Sequence, residues 1–191
     1  MKKVILILLV GLLSSCANVV KVESGEFKVS EHMSLTLTGA WNQLKAPSLK
    51  PAIVWSMEGV TVDQLLIYSD IKEGDTLVPN GLFDSEKNKK FIFHSTMDFS
   101  QIASLFEAKF TADGSIFNLD KIEPKVISKQ KGVKLEFSVI RKTDNVKMQG
   151  LAYCVVFNNQ LYALIYQAPK LTFFKLYQED VEKMASTIIV R

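Results

Sequence analysis

Four side chains have the reactivity to do chemistry near neutral pH: the thiols of Cys16 and Cys154 and the imidazoles of His32 and His94. A thiol is a far better nucleophile at this pH than a hydroxyl, and Cys16 is the one set in an organised context. It follows Leu13-Ser14-Ser15, at the end of the apolar run from Val4 to Leu13, which begins after Lys2 and Lys3. A charged start, an apolar stretch and small residues at the cutting point make a secretory leader. As a helix that run reaches only ~15 Å, half of a ~30 Å bilayer core, so it is expected to be removed rather than to span. The expected cut lies between Ser15 and Cys16.

The other three carry less. Cys154 sits inside the apolar run Leu151 to Phe157 and reads as a small core hydrophobe. His32 and His94 have no second ligand within a few residues, so no metal site is expected. His94 follows Phe91-Ile92-Phe93 and reads as a structural or solvent-facing histidine at a strand end. The chain has no Gly-x-Ser-x-Gly elbow and no Gly-rich phosphate loop. Glu179-Asp180 and Glu73/Asp75 read as solvated charge on a helix face and in a turn. The expectation is a protein without catalysis and without a cofactor; an envelope hydrolase would require His94 to meet a nucleophile and an acid.

Leu13-Ser14-Ser15-Cys16 resembles the lipobox of bacterial lipoproteins. The resemblance implies a diacylglyceryl thioether on Cys16, cleavage before it and acylation of the freed amine. At about 0.8 kcal/mol per buried methylene, two or three acyl chains hold a domain on a membrane for practical purposes permanently. Ala17, rather than aspartate, follows the cysteine, which by the family's sorting rule implies the periplasm-facing leaflet of the outer membrane. The implied partners are thus the membrane, through Cys16, and a protein in the envelope.

Charge and length agree with one secreted domain. Lys2 and Lys3 account for two of the 23 Lys and Arg, so the mature chain carries only +1 against its 20 Asp and Glu. That balance argues against nucleic acid as a partner. Residues 1–15 read as the leader, 16–26 as a lipidated tether lifting the domain off the membrane, and 27–191 as a single α+β domain.

The elements that must position any site follow from periodicity. Met33, Leu35 and Leu37 alternate with polar residues, a strand that Gly39-Ala40-Trp41 ends. Ala52 to Met57 and Val60 to Ile71 read as paired strands, the second with Leu66 and Tyr68 on one face and Leu65 and Ile67 on the other. Residues 77–88 read as a long exposed loop. Met97 to Phe110 reads as a helix capped by Asp98, with Gln101 three places on as in a capping box and a stripe of Phe99, Ile102, Phe106 and Phe110. Ser115 to Leu119 and Val126 to Ser128 read as two short strands. Val133 to Val139 alternates with Lys134, Glu136 and Ser138, as on an antiparallel sheet wet on one face. Val146 to Phe157 and Leu161 to Ala168 form a hairpin about Asn158-Asn159-Gln160 that is apolar on both faces, hence central. Leu171 to Ile188 reads as a C-terminal helix.

Trp55-Ser56-Met57-Glu58-Gly59, the turn Gly74-Asp75, the Met-led helix from Met97 and the hairpin ending Ala168-Pro169 resemble a family of proteobacterial lipoproteins. The two strands, Ala-Pro and closing helix also resemble the PsbP-like fold. That resemblance implies an antiparallel sheet flanked by a mid-chain and a C-terminal helix, and a binding or assembly role. Gly39-Ala40-Trp41 is similar to the lipocalin opening motif and implies the alternative, a carrier of a lipophilic ligand. For that alternative Trp41, Trp55, Tyr68, Phe83 and Tyr153 would line an apolar groove on one sheet face.

Overall fold

A computed structural model of the chain describes residues 18–79 and 91–191. Cys16, the cut before it and Phe83 lie outside the described residues. Eleven strands form two antiparallel sheets: β1 (Asn18–Val22), β2 (Gly25–Lys28), β3 (Met33–Leu37), β4 (Trp41–Lys45), β5 (Ile53–Ser56), β6 (Gln64–Ile71), β7 (Ile116–Ile127), β8 (Gln130–Ile140), β9 (Lys147–Phe157), β10 (Gln160–Pro169) and β11 (Ile189–Val190). Among the described residues the α-helices are α1 (Phe99–Thr111) and α2 (Phe173–Ser186). The large sheet runs β1-β4-β5-β6-β10-β9-β8-β7 and the small one β11-β3-β2.

The strands that are apolar on both faces lie where two-sided burial demands, at the middle of the large sheet. In β6, β9 and β10 successive side chains enter opposite cores, as the period of two requires. Leu65, Ile67, Tyr153, Leu164 and Tyr166 meet α2 and the small sheet, whereas Leu66, Tyr68, Cys154, Ala163 and Ile165 meet α1. The β9–β10 hairpin closes on Asn158 and Asn159, both left-handed (φ 48° and 59°), as the right-handed strand twist prefers. In α1 the capping box is complete: Gln101 N–H donates to Asp98 Oδ1 at 2.9 Å and Asp98 N–H to Gln101 Oε1 at 2.9 Å. Ile102, Phe106 and Phe110 bury the expected stripe.

Four expectations are corrected. Within the stretch read as a tether, residues 18–26 are built into the sheets: Asn18–Val22 pairs along its full length with Trp41–Lys45 and Gly25–Lys28 pairs with β3. Trp41 does not close a strand but opens β4, and the sheet it joins is open, with β1 and β7 as edges, rather than a lipocalin-like barrel. Pro124 does not separate two strands. It lies within the single edge strand β7, where its missing N–H costs no ladder bond on the solvent side. Leu77 and Val78, read as exposed loop, are each 1 % exposed and help cover the α1-side core.

Candidate functional site

The aromatics proposed as a groove do not form one. Trp41, Trp55 and Tyr153 point to the α2 side and Tyr68 to the α1 side, and all four are buried. The residue parity along β6 and β9 separates Tyr68 from Tyr153, and neighbouring side chains pack against the other rings. Trp41 lies edge-on to Tyr166 at 6.3 Å and Trp55 edge-on to Phe27 at 4.9 Å. Tyr68 donates to the Leu77 carbonyl at 3.1 Å. Trp55 Nε1 has no hydrogen-bond partner among the described residues.

Each histidine meets one carboxylate. His94 Nδ1 lies 2.6 Å from Glu73 Oε1, while Ser95 N–H donates to the other oxygen. The bonds from the Ser95 amide and from His94 hold the Glu73 carboxyl below its usual range. Among the described residues no hydroxyl or thiol hydrogen-bonds this imidazole. His32 Nδ1 lies 2.7 Å from Asp70 Oδ1, at a register shift where Asp70 takes φ 57°. Partial burial would raise the Asp70 carboxyl, but hydrogen bonds from Ser30, His32 and Ser69 outweigh it and lower it. These pairs tie loops to the sheet end.

A third carboxylate organises a turn. Asp63 is fully buried and accepts from the Ser56 hydroxyl at 2.8 Å, the Met57 amide at 2.9 Å and the Glu58 amide at 2.8 Å. The Ser56 hydroxyl in turn accepts from Gly59 N–H at 2.7 Å. A buried carboxyl is tolerable because donors surround it. The Trp-x-x-acid-Gly segment is therefore a turn wound round Asp63, which places Glu58 to accept from the Tyr177 hydroxyl of α2.

The open part of the molecule lies elsewhere. Helix α2 covers β9 and β10 but stops short of β8 and β7, leaving a cleft of about 440 Å³ between the helix and this wing of the sheet. Glu123, Lys125, Tyr153, Glu179, Glu182 and Lys183 line it. A second cleft of about 220 Å³ involves Gln149, Gly150, Lys170, Phe174, Lys175 and Gln178. Lys134 borders both. Its ammonium lies 3.0 Å from Glu182, 3.4 Å from Glu136 and 5.8 Å from the centre of the Tyr153 ring, with only 15 % of the side chain exposed. Burial opposes its charge, yet the hydrogen bond to Glu182, the nearby Tyr153 and the bond to Glu136 prevail and hold its pKa above the lysine range. Glu182 is likewise pushed up by burial but held low by Gln178 and Lys134. Register builds this cluster: Lys134 stands opposite Tyr153 on β9 and Glu123 on β7. Of its members the sequence marked only Tyr153, and that for an apolar groove; Lys134 and Glu136 read there only as the wet face of a strand.

An open, wholly antiparallel central sheet closed by a C-terminal helix and backed by a mid-chain helix is a PsbP-like α+β fold. The solution structure of the cyanobacterial PsbP protein CyanoP from Synechocystis sp. PCC 6803 matches it with a TM-score of 0.58 at 13% identity, over 94% of this chain and 96% of that one. A Bacteroides thetaiotaomicron crystal structure aligns with a TM-score of 0.49 at 10% identity, over 89% of this chain and 49% of that one. No family model and no curated protein matches the sequence.

Proposed function

We propose that this protein is a lipid-anchored, periplasm-facing envelope module that works by binding a protein partner rather than by catalysis. Cys16 in its lipobox supplies the anchor, as in the lipoproteins its sequence resembles. The observation that carries the reading is the pair of clefts meeting at Lys134. Their walls carry both signs: Glu179 is paired with Lys183 and Glu123 with Lys121, whereas Lys125, Lys170 and Lys175 have no ion pair among the described residues and can meet a charged segment. Such a rim favours orientation and encounter, while Phe174 and Leu151 offer apolar contact beneath it.

The test is photocrosslinking in intact cells with the full chain, placing the crosslinker at Lys125 or Lys175 and, as control, at Ser104 on the exposed face of α1. A discrete adduct from both cleft positions and none from Ser104 is expected. Absence of any reproducible protein adduct from the cleft would defeat the proposal, and a cleft adduct of lipid mass would replace it with a lipophilic-ligand carrier.

A further inference from the structure

We infer that β1 and the turn after β4 form a membrane-contacting corner that lies against an anionic phospholipid surface. The inference rests on acylation of Cys16 and goes beyond it, because an anchor alone leaves the orientation of the domain open.

Three observations converge on this corner. First, Asn18 is already paired with Lys45, and only Ala17 separates it from Cys16. Two residues extend at most ~7 Å, so an acylated Cys16 cannot hold the strand more than that distance from the headgroups. Second, β1 is an edge strand covered only at Val22, which packs against the α2-side core. Val19 and Val20 point to opposite faces and remain 55 % and 40 % exposed. Third, the turn beside it presents Lys45 and Lys50, both exposed and without an ion pair among the described residues, whereas Lys21 is paired with Glu23 at 2.9 Å. Lysines held within a Debye length of an anionic leaflet are attracted to it. A short reach, bare valines and unpaired lysines together favour a lipid surface over a second strand as the occupant of this edge. The cleft bordered by Lys134 lies towards the other side of the sheet. With strands ~4.8 Å apart, β7 sits seven spacings or ~34 Å from β1, so the partner surface would face away from the membrane.

The experiment uses the full, lipid-modified chain in vesicles of phosphatidylethanolamine and phosphatidylglycerol carrying a nitroxide-labelled lipid. A fluorophore is attached in turn to V20C, K50C and K121C; native Cys154 is buried and stays unlabelled. Quenching severalfold stronger at V20C and K50C than at K121C is expected. Equal quenching at all three, or strongest quenching at K121C, on protein whose Cys16 carries acyl chains by mass spectrometry, overturns the corner while leaving the anchor intact. Disulfide-linked pairs of unlabelled V20C with no quenching there would assign the edge to a second copy and overturn it too. An unmodified Cys16 removes the anchor and the inference together.

Discussion

Gly150 tests the account of the core most directly. It faces Phe137 across the β8–β9 ladder, and a Cβ added there would fall 2.2 Å from two ring carbons and 2.8 Å from a third. Carbon atoms settle at about 3.5–4.0 Å, so the ring would have to retreat by more than an ångström. It has nowhere to go: Phe137 is fully buried, with Phe110 at 5.0 Å and Phe117 at 5.3 Å between ring centres. Overpacking costs typically about 1–3 kcal/mol, and a clash this severe belongs at the upper end. Alanine's better strand entropy returns about 0.5–1 kcal/mol. G150A should therefore lose about 2–2.5 kcal/mol, a melting temperature lower by roughly 4–10 °C for a domain of this size. Urea unfolding followed by tryptophan fluorescence should show a lower midpoint at unchanged slope. In an F137A background the same substitution should cost almost nothing. A G150A midpoint at or above that of the unmodified protein would refute the packing argument.

Three further outcomes are expected. D63A should destabilise by about 1–3 kcal/mol, chiefly because it removes the partner of the buried Ser56 hydroxyl, the Met57 and Glu58 amides lying in a half-buried to exposed turn that water can reach; urea titration measures it, and an unchanged midpoint would contradict the turn's dependence on Asp63. The Tyr177 hydroxyl is raised to about 12, first by its bond to Glu58 and then by burial. A raised phenol keeps its proton in the folded state while the unfolded chain ionises near 10, so its stabilisation is complete below pH 10 and lost towards 12; Y177F should flatten that part of the stability–pH curve. Cys154 is pushed far up by burial, so a thiol reagent should leave it untouched in the native protein and label it in urea.

The parts of this structure written locally could be read from the sequence. The capping box of α1 needs only Asp98 and Gln101, and the central hairpin needs only two apolar runs about Asn158-Asn159. Edge strands were harder. β1 and its neighbour β4 lack regular alternation because half-exposed strands at the rim of a sheet need no continuous apolar face, and β7 looked broken because Pro124 is harmless only on an edge. The aromatic groove failed for a different reason. Residue types show which side chains are buried, but the parity that sends Tyr68 to one core and Tyr153 to the other depends on register across strands far apart in sequence. The same long-range register creates the Lys134 cluster from Lys, Glu and Tyr residues that look ordinary one at a time.

That register also sets an order of events. At the heart of the large sheet β6 pairs with β10, so Ile71 must find Leu161, 90 residues later. At typical synthesis rates the first partner waits roughly 5–18 s for the second. Throughout that interval β6 has an unpaired margin and two greasy faces, the profile of a segment prone to clumping. Crowding of half-made chains is therefore the point at which production of the protein should fail first.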